Sequence, residues 1–159
     1  AEDPSPPPET PDHQAGDRRL DLCRDLQAPL AQALGLEAVA LALQPADVTF
    51  PEWGNQLDGC RLSWKGPGLS LRWEQTPSQL PTTRAMRSLI EAGWEEDKAH
   101  GEDHAGSFAR IYVQGLRLCR LDVAFSPPPG QACAGQDPVT CGLGPAQLDY
   151  RIALSCADS

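Results

Sequence analysis

His100-Gly101-Glu102-Asp103-His104 packs two imidazoles and two carboxylates into five residues, and these are groups that ligate zinc, copper or nickel. A divalent metal held by His100, His104, Glu102 and Asp103 is one expectation. Gly101 and the nearby Gly106 favour an acidic mobile loop over a helix that would line the imidazoles up, so an exposed loop without a ligand is the plainer reading. The third histidine, His13, lies in a polar N-terminal stretch.

Nucleophilic chemistry has less to draw on. There is no G-x-S-x-G elbow, and a Ser-His-Asp set would need a histidine from that single loop or the N-terminal stretch. Acids such as Glu52, Asp58, Glu74 and Glu95 are plentiful, but nothing in the pattern sets two of them across a cleft as glycoside hydrolysis requires. Lys65-Gly66-Pro67-Gly68 reads as a hairpin turn, not a phosphate-binding loop. Neither catalysis nor a cofactor is expected.

The six cysteines, Cys23, Cys60, Cys119, Cys133, Cys141 and Cys156, include no C-x-x-C pair. An even count at this density reads as three disulfides formed in an oxidising compartment. Strand parity favours Cys119 with Cys156, the intervening loop favours Cys133 with Cys141, and Cys23 with Cys60 would then tie a helix to the sheet; sequence alone leaves 15 connectivities open. The chain begins Ala1-Glu2-Asp3, as one would after signal-peptide removal, so a periplasmic or secreted location is expected.

Another constellation lies on the strands. Alternation along a strand sends successive side chains to opposite faces. Counting by parity puts Arg61, Lys65, Arg72, Arg110, Arg120 and Arg151 on one face, with Tyr112, Gln114, Ser63 and Ser70 between them, against Glu74, Asp122 and Asp149. In a chain of net charge −9 that face carries a cationic excess. The plain reading is a solvated face with cross-strand ion pairs. The sharper reading is a docking surface, since the planar guanidinium suits carboxylates. Trp53, in the loop Phe50-Pro51-Glu52-Trp53-Gly54, reads as a contact beneath that loop or as an exposed aromatic anchor for a partner or sugar ring.

Helices and a sheet must position these residues. Leu22, Leu26, Leu30 and Leu34 recur at four-residue spacing, from an N-cap near Asp17 to a stop at Gly35, with Pro29 expected to kink or split the helix. A second helix starts at Thr82 or Thr83, buries Met86, Leu89 and Ile90, and stops at Gly93. Strands are expected at 36–43, 48–50, 60–65, 69–74, 94–97, 108–113, 116–125 and 148–156. The opposite parity, Cys60, Leu62, Trp64, Leu69, Leu71, Trp73, Ile111, Val113, Cys119, Leu121, Val123, Phe125, Leu148, Tyr150, Ile152, Leu154 and Cys156, forms the face that the helices cover. Residues 1–16 are acidic, rich in proline and poor in apolar side chains, and read as a flexible tail; 17–159 form one domain.

Ala33-Leu34-Gly35-Leu36-Glu37 and Cys60-Arg61-Leu62 reappear, loosely, as Glu91-Ala92-Gly93-Trp94-Glu95 and Cys119-Arg120-Leu121, at offsets of 58 and 59 residues. A tandem duplication of an αββββ unit would leave this trace, with halves 17–76 and 80–159; coincidence of short motifs is the alternative. Tandem αββββ units resemble the architecture of the exported β-lactamase inhibitory proteins, which grip their enzyme with the open face of a sheet. The resemblance is of architecture alone and carries no residues across.

The fold class expected is α+β: a twisted antiparallel sheet, two helices on one face, stapled by disulfides. The acidic balance argues against nucleic acid as partner, and no stretch reaches the length of a membrane span. The chain reads first as an exported, non-catalytic binding module, an inhibitor or envelope adaptor, docking an acidic partner protein. The alternatives are a periplasmic metal-handling protein using the histidine loop and a small secreted hydrolase.

Overall fold

The leucine stripe seats the first helix. A computed structural model describes residues 11–50, 55–68, 81–131, 133, 135 and 138–158, and in it α1 runs Pro11–Leu34 with Cys23, Leu26, Leu30 and Leu34 buried. Burying each leucine contributes roughly 2 kcal/mol relative to exposure. The helix starts six residues before the expected cap at Asp17 and takes in residues 11–16 of the expected tail, whose residues 1–10 lie outside the described residues. Pro29 neither splits nor ends it. Pro29 and Asp25, whose carbonyl loses its donor, both lie on the exposed side, where water can take up that carbonyl.

The second helix, α2 (Pro81–Glu91), buries Ala85 and Leu89, whereas Ile90, expected in the core, is exposed. Both helices stop by one device. Gly35 (φ 74°) and Gly93 (φ 96°) take the left-handed conformation. Leu36 N–H then donates to Ala31 and Trp94 N–H to Leu89, at 2.8 and 3.0 Å, closing Schellman caps.

Among the described residues seven strands make one antiparallel sheet: β1 (Ala42–Phe50), β2 (Asn55–Pro67), β3 (Glu95–Glu96), β4 (Glu102–His104), β5 (Ser107–Gln114), β6 (Arg117–Ser126) and β7 (Asp149–Asp158), in the order β1-β2-β7-β6-β5-β3 with β4 also against β5. The fold is the expected α+β. The strands expected at 36–43 and 48–50 are instead a 3₁₀ turn at Ala38–Ala40 followed by one strand, β1, running through Pro45. An edge strand tolerates proline because its outward backbone groups have no ladder partner to lose. The strand expected at 69–74 lies outside the described residues.

β7, last in sequence, is inserted between β2 and β6. Cys60, Cys156 and Cys119 stand side by side across those three strands. Disulfides join Cys23 to Cys60, Cys119 to Cys156, and Cys133 to Cys141, the three pairings expected. The two Cys-Arg-Leu segments flank β7 with cysteine and leucine buried on the helix side.

Register corrects the faces on β5. Tyr112 pairs with Cys119 and Arg110 with Leu121, so Phe108, Arg110, Tyr112 and Gln114 belong to the helix-covered face. Ile111 and Val113 belong to the open face. The cause is the β5–β6 turn: only Gly115 and Leu116 separate Gln114 from its partner Arg117, so residues of opposite parity share a face. Ile111 is buried nonetheless, in a second apolar cluster with Val48, Phe50, Leu118 and Ala157 that closes one end of the open face.

Candidate functional site

On the open face, register lays the side chains out in rows across the strands. Ala42, Ser63, Ala153, Asp122, Ala109 and Glu102 form one row, from β1 to β4. Two residues along the strands, Lys65, Arg151, Ala124, Ser107 and His104 form the next. Together with Arg120 they line a groove of about 830 Å³. Its floor is unusually plain, because Ala42, Ser63, Ala153, Ala124, Ala109 and Ser107 raise nothing longer than a methyl or hydroxymethyl above the sheet.

The charges sort to two sides. On the β6 and β4 side, Arg120 Nε donates to both carboxylate oxygens of Asp122, at 2.9 and 3.2 Å, and Arg120 Nη2 lies 3.5 Å from Glu102. His104 Nε2 is 3.0 Å from Glu102 Oε1. The His104 ring first, and then the Arg120 guanidinium, hold the Glu102 carboxyl below its ordinary range. On the β2 and β7 side, Lys65 and Arg151 face each other directly across the ladder, both exposed. Among the described residues neither has an acidic partner within ion-pair distance. Arg61, on the same face beyond the groove, donates to the buried Ser155 hydroxyl at 2.9 Å.

The expected docking set is thus partly assembled. Arg61, Arg120 and Arg151 share the open face; Lys65 joins them as a groove residue. Arg110 does not. It lies on the other face, over the Phe108 ring (4.9 Å), bonded to Asp103 at 2.9 Å and near Glu96 at 4.0 Å. Tyr112 is fully buried beneath the helices. Arg72 and Trp53 lie outside the described residues.

Burial, with a smaller push from the Glu96 carboxylate, raises the Tyr112 phenol well above its ordinary range, and its hydroxyl finds no hydrogen-bond partner among the described residues. An unsatisfied buried hydroxyl costs about 1–3 kcal/mol. Tyr112→Phe is therefore expected to leave stability unchanged or raise it by about 1 kcal/mol, and to leave partner binding untouched. Urea denaturation, checked against binding, tests both; a drop in binding would return Tyr112 to the docking surface.

The metal expectation is corrected by strand alternation. Glu102 and His104 project into the groove while Asp103, between them, turns to Arg110. His100 precedes the strand and pairs its Nδ1 with Asp97 at 2.7 Å. The segment is not a free loop: its centre is β4, paired to β5. No group of three or more His, Cys, Asp or Glu able to hold a metal ion occurs among the described residues.

Sequence reasoning missed the floor. Ala124 and Ala153 sit at groove-facing positions of β6 and β7, and their small size was legible; what was not legible is that β2, far away in sequence, pairs with β7 and sets Ser63 beside Ala153. No protein-family model, curated protein or solved structure matches the chain, so the architectural likeness to the β-lactamase inhibitory proteins carries no argument.

Proposed function

We propose that this chain is an exported, non-catalytic binding module, an inhibitor or envelope adaptor, that docks an acidic partner protein in the open-face groove. The observation that carries this reading is the Lys65–Arg151 pair. Like charges directly opposed on neighbouring strands destabilise a sheet, and this pair stands in a chain of net charge −9 where a neutralising acid was easily available. The nearest acids on the face are Asp149, two residues along β7 from Arg151, and Asp122, diagonal to Arg151; Asp122 is taken up by Arg120, and among the described residues Asp149 makes no ion pair with either cation. Two cations left open beside a floor of small side chains suit a carboxylate brought by a partner.

Support for the location is coarser. Three disulfides suit an oxidising compartment, and no helix among the described residues is long and apolar enough to cross a membrane. For hydrolysis the groove offers little: Ser107 is the register partner of His104, yet no hydrogen bond joins the two to activate a nucleophile.

The test is affinity capture from native envelope extract and culture medium with wild type and Lys65→Glu/Arg151→Glu. Both substitutions fall at exposed positions, so the variant should stay folded. A partner retained by wild type and depleted at least tenfold on the variant is expected. Equal retention on both would remove the groove from the account.

A further inference from the structure

The small residues of the groove are not scattered. Ala42, Ser63 and Ala153 are consecutive register partners across β1, β2 and β7; one diagonal step leads to Ala124 on β6 and its partner Ser107 on β5. They form a continuous lane crossing five strands, roughly 19 Å at the usual strand spacing. Lys65 and Arg151 stand on one side of the lane; Asp122, held by Arg120, stands on the other.

The lane passes between Arg151 and Asp122. These are diagonal neighbours, since Arg151 pairs with Ala124 and Asp122 with Ala153, and diagonal neighbours are separated by about 7–8 Å. An extended main chain fits such a passage. An α-helix, roughly 10–12 Å across with its side chains, does not. Arg151 and Asp122 do not close the lane by pairing with each other, because Asp122 is bonded to Arg120 on its own strand.

We infer that the occupant of the groove is an extended segment of the partner protein, laid across the strands along this lane with an Asp or Glu side chain seated between Lys65 and Arg151. This rests on the docking reading and deepens it: charge complementarity fixes the anchor, and the width of the lane fixes the conformation. Side chains of an extended segment alternate, so acids two residues apart would face the Lys65 and Arg151 side while the residues between face Asp122 and Glu102.

The test selects random linear twelve-residue peptides, displayed without a free C-terminus, on the intact disulfide-bonded protein. Selected peptides are expected to be enriched in Asp or Glu at alternate positions. They are expected to bind at least tenfold more weakly to Lys65→Gln/Arg151→Gln, and to Ala153→Leu or Ala124→Gln, which fill the lane and leave both cations in place. Two lane variants are used so that misfolding of one leaves the test intact. A helical spacing of the acids, no acidic enrichment, or unchanged binding to both lane variants would overturn the inference. If charge reversal removes the native partner while the lane variants keep it, the docking reading stands and the extended segment falls. If charge reversal has no effect, both fall.

Discussion

Gly59→Ala is expected to lower stability by about 3 kcal/mol or more, at or beyond the upper end of ordinary overpacking. Gly59 is buried on β2, opposite Ala157 of β7. A Cβ there would collide with the Cys156 carbonyl oxygen and fall 2.9 Å from the Ala157 Cβ. Backbone atoms can yield to a methyl only if a strand moves, and both strands are pinned beside the contact: Cys60 to Cys23, and Cys156 to Cys119. For a chain of this size, about 3 kcal/mol corresponds to a fall in melting temperature of roughly 6–12 °C. Thermal unfolding followed by circular dichroism reads it directly; a change of less than about 2 °C would mean that β2 and β7 are not locked together as described.

The second large effect concerns those disulfides. Cys23–Cys60 and Cys119–Cys156 each close a sequence separation of 37 residues, and the two loops do not overlap. Loop-closure entropy assigns each roughly 4 kcal/mol. Together they contribute roughly 8 kcal/mol, comparable with the whole stability of an ordinary domain, about 5–15 kcal/mol. Full reduction should abolish cooperative unfolding. Cys133–Cys141 spans a separation of 8 residues, for which the same relation gives about 2.5 kcal/mol. Paired cysteine-to-alanine variants in urea should therefore rank both long bridges above the short one, and the reverse order would contradict this account of the fold.

The features of the chain that were legible from sequence are those set by local spacing. Leu26, Leu30 and Leu34 mark the buried face of α1, and Gly35 and Gly93 mark the stops of α1 and α2, because helix periodicity and the left-handed cap are properties of adjacent residues. The cysteine pairs were legible because parity along β6 and β7 places Cys119 and Cys156 on one face. The faces of β5 were not, since they depend on the register across the Gly115-Leu116 turn; had that turn been treated as a two-residue hairpin, Arg110 and Tyr112 would have been assigned to the core side. The histidine segment misled for a related reason. Its clustering in sequence becomes separation in space once alternation along β4 sends Asp103 away from Glu102 and His104. Pro29 suggested a break, and the expected strands stop short of Pro45 on either side, but Pro29 sits on the solvent side of a helix and Pro45 on an edge strand, and neither location can be read from the residue itself. The groove lay furthest from view, because its lane depends on β7 entering between β2 and β6, a pairing of strands far apart in the chain.

The measurement that tests the central claim most directly is photo-cross-linking from the groove's edge. A benzophenone amino acid at the exposed Ala40, which lines the groove outside the lane, is compared in native extract with the same residue at Leu116, exposed on the β5–β6 turn. The account predicts a covalent adduct from position 40 to a protein whose linked segment carries Asp or Glu, and no adduct to that protein from position 116. An adduct to that protein from position 116 alone, or no adduct at all from position 40, would contradict the assignment of the groove as the docking site.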